Sequence, residues 1–319
     1  MNPTNPNDTL RGYLIDEFVE DYALARVDRR TAITRLAGLT GSVAAAAALI
    51  AGCSPAAPPS PPAAPTAAPS PNPTPTAART VRAAVGPGVS STDPEIEAAA
   101  VQFPGQGVTL MGYAARPKAG PAAPCVLVCH ANRGINPHIQ DITRRLAKAG
   151  FATLAVDLLT REGGTEKVDP NGVSRTIAAM PMDTIVGDFQ AGAKYLQGLP
   201  NVRGDRLGMT GFCLGGGVTW RVALRTPELR AAVPFYGTIP ADDILAAEAP
   251  NLKAAVLGLY GGADTFVNPR IPAIEQAMRQ NGKTFEKVIY DGAQHGFNEE
   301  NEPTRYHAAA AKDAWEKTH

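Results

Sequence analysis

The chain has 319 residues and no formal net charge at pH 7, because 30 Lys and Arg side chains balance 30 Asp and Glu side chains. A neutral chain has no broad positive field that would attract phosphates, so its composition argues against nucleic-acid binding. Hydrophobic residues make up 44% and charged residues 19%, as in an ordinary folded enzyme. Beyond the N-terminal region no apolar run reaches the roughly 18 residues of a membrane-spanning helix, which argues against an integral membrane protein.

Residues 1–52 resemble an export signal. Arg29 and Arg30 precede an uncharged run from Leu36 to Ile50 that is rich in Ala and Leu, and small residues then lead to Cys53. The paired arginines resemble a twin-arginine signal, and Ile50-Ala51-Gly52-Cys53 resembles the lipobox at which bacterial lipoproteins are cut and lipidated. We therefore predict lipidation at Cys53 and an exported, membrane-anchored protein. Simple cleavage, a retained anchor and a cytoplasmic location are the alternatives.

Residues 53–90 have the composition of a tether. Ten of the 25 residues from Ser54 to Ala78 are proline, mostly interleaved with Ala, Ser and Thr. Such a segment has little to bury and cannot form a hydrogen-bond ladder, so we predict an extended polyproline spacer. Upstream of the paired arginines, a helix-like apolar spacing of unassigned function involves Leu14, Ile15, Phe18 and Tyr22.

The remaining segment, residues 91–319, alternates strand and helix patterns. The predicted strands are residues 108–113, 125–129, 151–156, 206–210, 231–234, 254–260 and 285–290. The predicted helices are residues 139–149, 184–197, 215–225, 272–280 and a last one from about 304. Strands separated by helices of ten or so residues indicate βαβ units. The sequence therefore predicts one α/β domain with a mostly parallel sheet covered on both faces.

Gly211-Phe212-Cys213-Leu214-Gly215 has the pattern of a nucleophile elbow, with Cys in the place of the usual Ser. It joins a predicted strand to a glycine-rich helix start. The tight turn strains the backbone of the nucleophile and requires small residues two positions to either side. The helix N-terminus would favour a thiolate at Cys213, and the Leu214 amide would donate to an oxyanion.

Two further residues follow strands in the order expected for an acid and a base. Asp264 comes after the strand 254–260, and His295 after the strand 285–290. The carboxyl ends of parallel strands lie at one edge of a sheet, where α/β folds place their chemistry. We predict that His295 takes the Cys213 proton and that Asp264 holds the imidazole tautomer.

The other cysteines and histidines give no sign of a metal site. No C-x-x-C or H-x-x-x-H spacing occurs in the chain, so a zinc site is not indicated and we predict no metal. Cys125 and Cys129 lie on one predicted strand, where small core side chains are the simplest interpretation.

From about Val108 onward, the chain resembles the dienelactone hydrolase (carboxymethylenebutenolidase) family. The matching segments are residues 129–139, 157–159, 211–217, 261–265 and 295–298. The resemblance implies an α/β-hydrolase fold, a Cys213-Asp264-His295 triad and hydrolysis of a small ester or lactone without a cofactor. It also implies that the amide near Asn132 is the second oxyanion donor and that Tyr236 lines the pocket.

This chain departs from the family pattern at two positions. Relatives commonly have Glu where Ala131 stands, so we expect Cys213 to be activated by His295 alone. Four residues after the catalytic histidine, the dienelactone enzymes have an arginine for the substrate carboxylate, whereas this chain has Glu299. An acid there repels a carboxylate, which favours a neutral or cationic substrate. Arg133 is either a substrate contact or a structural loop contact.

Two other functions compete with ester or lactone hydrolysis. The same triad supports thioester or acyl-transfer chemistry, because pocket shape determines the substrate. A non-catalytic surface binding protein could also keep this fold, and the absence of a glutamate at Ala131 is the observation in its favour.

Overall fold

The computed structural model describes residues 6–23, 27–51 and 88–319. The predicted lipidation site Cys53 lies outside the described residues, as does the predicted tether up to residue 87. The core is an eight-stranded sheet in the spatial order β1-β2-β4-β3-β5-β6-β7-β8. Its strands, in chain order, are β1 (Ile96–Pro104), β2 (Thr109–Pro117), β3 (Ala123–Cys129), β4 (Ala152–Val156), β5 (Val202–Phe212), β6 (Leu229–Phe235), β7 (Ala255–Gly261) and β8 (Phe285–Tyr290).

The sheet is antiparallel at one edge and parallel elsewhere. β2 pairs antiparallel with both β1 and β4, whereas the strands from β4 to β8 pair in parallel. Every residue of β4 is buried, as expected for a strand covered by helices on both faces. The carboxyl ends of β5, β7 and β8 therefore face the same edge, and this is an α/β-hydrolase fold.

Ten α-helices occur in the described residues: α1 (Pro6–Ala23), α2 (Arg29–Thr40), α3 (Val43–Ala51), α4 (Pro137–Lys148), α5 (Val173–Ala179), α6 (Met182–Gln197), α7 (Leu214–Arg225), α8 (Asp242–Glu248), α9 (Ile271–Gln280) and α10 (Ala308–Thr318). α4 shows how the sequence starts such a helix. The Asn136 side chain accepts a hydrogen bond from the Ile139 amide at 3.0 Å, and Pro137 occupies the first turn, where no amide is needed.

The predicted elements all occur, but the structure adds several. β1 was not predicted because it is an edge strand, in which only Ile96 and Phe103 are buried. α5 and α8 have seven residues each and are too short to show a clear helical period. The last helix starts at Ala308 rather than near 304, because the His307 ring accepts the Ala310 amide as its cap.

The N-terminal helices α1 to α3 pack onto the α/β domain. Leu14 and Phe18 of α1, Leu36 of α2 and Ile50 of α3 are at most 2% exposed and belong to the same hydrophobic core as the sheet. The helical spacing seen in residues 1–28 thus forms α1, and its apolar side chains have a partner surface. In the part of the chain that the structure describes, none of the helices has the length and hydrophobicity to cross a membrane.

Candidate active site

Cys213 occupies a strained turn between β5 and α7. Its backbone has φ 58° and ψ −119°, and α7 begins at the next residue, Leu214. A Cβ on Gly211 would lie 2.2 Å from the Gly215 carbonyl oxygen, and one on Gly215 would lie 2.5 Å from the Cys129 carbonyl oxygen. Only glycine fits at these two positions, which is the steric requirement inferred from the sequence.

The start of α7 sets the electrostatics around the nucleophile. The Gly216 and Gly217 amides donate to the Cys213 carbonyl oxygen at 2.9 and 3.2 Å, so the helix dipole begins at the thiol. Its positive end favours a thiolate there and a negative oxygen beside it. Leu214, the predicted oxyanion donor, is the first residue of this helix and is fully buried.

Asp264 and His295 form a buried pair at the ends of β7 and β8. Nδ1 of His295 lies 2.7 Å from Oδ2 of Asp264. The other oxygen, Oδ1, accepts the amides of Phe266 and Val267 at 3.0 and 2.9 Å, which fixes the carboxylate. Both side chains are at most 4% exposed. The aspartate is therefore held as an acceptor, and the imidazole carries its proton on Nδ1.

The surroundings of His295 favour its protonated form. Burial opposes protonation, but the Asp264 carboxylate, its hydrogen bond and the Cys213 side chain outweigh burial and raise the pKa of His295. The Tyr236 ring packs edge-on against the imidazole, with 5.0 Å between ring centroids. Tyr236 is fully buried, and burial raises the pKa of its hydroxyl well above the usual value, against the opposing effect of the Asn298 backbone. This hydroxyl is a polar group that a substrate could use.

The loop after β3 is held by buried polar groups. The His130 ring bonds the Ala131 carbonyl through Nδ1 at 2.7 Å and accepts the Leu158 amide at Nε2 at 3.3 Å. Burial lowers the pKa of His130, in keeping with a neutral structural histidine. Ala131 is 9% exposed and presents only a methyl group. The next residue, Asn132, turns its side chain toward Glu17 of α1.

A glutamate from the N-terminal helix α1 fills the space beside the nucleophile. Both carboxylate oxygens of Glu17 lie 3.7 Å from the Cys213 Sγ, and the Asn132 Nδ2 donates to them at 3.1 and 3.2 Å. Arg305 Nη1 lies 3.8 Å from the same carboxylate. Helix α1 thus brings a carboxylate to the thiol where position 131 has none, and activation of Cys213 by His295 alone stays a prediction.

Arg133 and Glu299 lie at the rim of this site. Arg133 pairs with Glu302 at 2.6 Å and is 53% exposed, which favours the structural interpretation of this residue. Glu299 is half-buried. Burial raises its pKa to about 7, against the opposing effect of Arg133, while Glu17 adds to the rise. Near neutral pH, Glu299 is therefore partly protonated, and it repels an anion less than a surface glutamate would.

Three potential metal ligands converge at the nucleophile. One donor atom each of Glu17, Cys213 and His295 lies within 4.8 Å of the others, and all three residues are buried. No short spacing in the sequence could predict this cluster, because the three residues come from distant segments. Two of these atoms, on Cys213 and His295, are those needed for proton transfer. We therefore interpret the cluster as the reactive centre rather than as a metal site. A metal that prefers thiolate ligands, such as zinc, would compete with catalysis there.

The other described cysteines lie in the core, as predicted. Cys125 and Cys129 are fully buried with free thiols. Burial raises the pKa of Cys125 to about 11 and that of Cys129 well above its usual value. Both thiols are therefore unreactive near neutral pH, and they are natural controls for the reactivity of Cys213.

Sequence reasoning missed Glu17 and Arg305 as parts of this site. The available signal was the helical apolar spacing of Leu14 and Phe18, which implies a partner surface for α1. That spacing does not say which surface it is. The contact joins residues 196 positions apart, so the local pattern around either residue carries no trace of it.

Comparison with known proteins agrees with this geometry. Residues 110–319 match the family model described as the Dienelactone hydrolase family. A candidate carboxymethylenebutenolidase of Salmonella typhimurium is 37% identical over 246 residues, covering 72% of this chain and 88% of that protein. A candidate 2-oxo-3-(5-oxofuran-2-ylidene)propanoate lactonase of Bradyrhizobium is 32% identical, with coverage of 66% and 88%.

Solved structures show the same likeness. The crystal structure of a candidate dienelactone hydrolase from Klebsiella pneumoniae has a TM-score of 0.63 and 32% identity, covering 70% of this chain and 96% of that one. An acylaminoacyl peptidase of Pyrococcus horikoshii, at 17% identity and TM-score 0.55, shares the fold over 70% of this chain and 41% of its own. The Cys-Asp-His arrangement thus lies on a hydrolase scaffold, and the chain belongs to the dienelactone hydrolase family.

Proposed function

We propose that this protein hydrolyses carboxylic esters or lactones through an acyl-thioester on Cys213. His295 takes the thiol proton as Sγ attacks the carbonyl carbon, and the tetrahedral oxyanion is bound by the Leu214 amide and the amide near Asn132. Collapse of this intermediate transfers the proton to the departing alkoxide. His295 then deprotonates a water that attacks the thioester, which releases the carboxylic acid and restores the thiol.

The observation that carries this proposal is the bond between His295 Nδ1 and Asp264 Oδ2. At 2.7 Å, with both groups buried, it fixes the tautomer in which Nε2 carries no proton and can accept the thiol proton. It also stabilises the imidazolium that forms. The Cys213 Sγ and a His295 ring nitrogen lie within 4.8 Å of each other, so one proton transfer can link them.

The surroundings of the triad argue for a substrate without a carboxylate near the scissile bond. Glu299 and Glu302 lie on the rim, where relatives in the aromatic-degradation branch are expected to have an arginine. Arg133 is already paired with Glu302. A neutral ester or lactone avoids repulsion by these acids. The alternative of a non-catalytic binding protein was supported by the absence of a glutamate at position 131. Glu17 supplies a carboxylate beside the same thiol, so this absence is a weaker argument for that alternative.

The test is turnover of p-nitrophenyl acetate and of a dienelactone by the full chain, cut after folding at a protease site inserted between Ser54 and Ala78, beside Cys213→Ala and Cys129→Ala treated in the same way. We expect ester turnover in the wild type and in Cys129→Ala, with a loss of at least about a hundredfold in Cys213→Ala. Intact mass spectrometry of the quenched reaction should show one acetyl group, on Cys213. Turnover that survives in Cys213→Ala would refute the cysteine mechanism, and preferred turnover of the dienelactone would refute the neutral substrate.

A further inference from the structure

Helix α1 approaches the nucleophile through a single buried carboxylate. Glu17 is 6% exposed, and Cys213 beneath it is 2% exposed. Asp16, the preceding residue on the same helix, points to solvent. The acid that faces the thiol is thus singled out by the helical register, and with α1 in place the nucleophile has almost no surface that a substrate could reach.

The position of the Glu17 carboxylate matches that of a reaction product. Its oxygens contact both the Cys213 Sγ and the Asn132 Nδ2, the nucleophile on one side and the oxyanion-side loop on the other. Hydrolysis of an ester leaves a carboxylate at this point, with its acyl chain leading away. The two methylene groups between the Glu17 backbone and its carboxylate correspond to a short aliphatic acyl chain.

We propose that the active site binds carboxylates between Cys213 and Asn132, and that α1 supplies one internally, so that the intact chain is a latent enzyme. The product analogy rests on the proposed hydrolase function, whereas exclusion of small reagents from Cys213 does not. Short aliphatic acids are the ligand class that this subsite takes once α1 has left.

Several contacts hold α1 in this position. Leu14 and Phe18 are buried in the common core. Arg305, on the loop before α10, forms an ion pair with Asp21 one helical turn beyond Glu17. The Arg305 side chain is only 10% exposed in this pair. Removing Asp21 would therefore leave a poorly solvated positive charge. α1 is thus docked by apolar burial and a specific pair, in addition to Glu17.

The predicted processing site provides a way to remove α1 from the active site. Cleavage before Cys53 would separate α1, α2 and α3 together from the α/β domain, and Glu17 with them. The arrangement then protects a reactive thiol until the chain is processed. The N-terminal segment would serve both as an export signal and as an inhibitor of the folded enzyme.

The experiment uses the full chain with a specific protease site inserted between Ser54 and Ala78, cut after folding. The second-order rate of Cys213 alkylation by iodoacetamide is measured by peptide mass spectrometry before and after the cut, with Cys125 and Cys129 as internal controls. A second route keeps the chain intact and undocks α1 with Leu14→Asp and Phe18→Asp. Asp16→Asn, on the exposed face of α1, is the matched control.

We expect both routes to raise the alkylation rate of Cys213 at least about tenfold, because the accessible state becomes the major one. Asp16→Asn should leave the rate unchanged. A peptide of residues 6–23 added to the cut protein should restore protection, and its Glu17→Gln form should do so less well. Butyrate should likewise protect Cys213 better than butanol does. Unchanged alkylation by both routes would overturn the proposal.

Ester turnover measured in the same samples separates this proposal from the hydrolase function. If Cys213 becomes reactive toward iodoacetamide but no ester is hydrolysed, the proposal that α1 shields Cys213 is supported and the proposed hydrolase function fails. If turnover is high in the intact chain and unaffected by the cut, the hydrolase stands and the latency proposal is wrong.

Discussion

The carboxylate of Glu17 lies 3.7 Å from the thiol of Cys213, although 196 residues separate the two in the chain. Position 131, where the family resemblance leads us to expect a glutamate, is an alanine with a buried methyl group. A carboxylate is thus present beside the nucleophile, but it comes from a helix outside the α/β fold. The consequence is that the environment of the thiol depends on where the N-terminal segment is.

His295→Ala should shift the ionisation of Cys213 to higher pH in the chain cut after folding. The imidazolium beside the thiol stabilises the thiolate, so its removal leaves the helix dipole as the main support. The measurement is the alkylation rate of Cys213 as a function of pH. His307→Ala, at the cap of α10, is the control. Equal midpoints in wild type and His295→Ala would show that the imidazole does not activate the thiol.

Asp264→Asn should lower ester turnover by about two orders of magnitude or more, because the amide can favour the wrong imidazole tautomer. Against the opposing effect of burial, Asp264 helps to raise the pKa of His295. Without the Asp264 carboxylate the imidazole loses its proton at lower pH. The acidic limb of the pH–rate profile should therefore shift to lower pH. Asp242→Asn, at an exposed ion pair with Arg270, provides the comparison. An unchanged acidic limb would argue against this coupling.

Gly211→Ala should destabilise the fold by about 2–4 kcal/mol, because the new methyl carbon would fall 2.2 Å from the Gly215 carbonyl oxygen. Gly187→Ala, within α6, is the matched control, since its new Cβ would lie 3.9 Å from its nearest neighbour, the Gln106 side chain. We expect this control to be neutral or slightly stabilising. Urea unfolding measures both variants, and equal midpoints would exclude a steric role for Gly211.

Glu299→Gln should flatten the fall in stability with rising pH. Burial raises the pKa of Glu299 from 4.5 to about 7, so between these values the folded chain holds more protons than the unfolded chain. Its stability therefore falls as the pH rises through this window. The effect should be on the order of 1 kcal/mol, because the side chain is partly solvated. Urea unfolding at pH 5 and 8 tests this, with the exposed Glu286→Gln as control, and an identical fall in both variants would contradict it.

The sequence was sufficient for the α/β-hydrolase core because that information is local. Alternating strand and helix patterns placed seven of the eight strands, and the steric demand of the elbow singled out Cys213 with its two glycines. The positions of Asp264 and His295 after β7 and β8 followed from the same pattern, since carboxyl ends of parallel strands share one edge. The edge strand β1 and the seven-residue helices were missed because few of their residues are buried in a regular period.

What only the tertiary structure decided is the occupant of the active site. The sequence predicts a helix around Leu14 and Phe18 and assigns residues 1–52 to export, but neither inference says where that helix docks. Docking depends on the apolar surface that buries Leu14 and Phe18 and on charges such as Arg305, which the chain brings together only when folded. Local patterns determine elements and their order, whereas a contact between Glu17 and Cys213 is a property of two surfaces that exist only after folding.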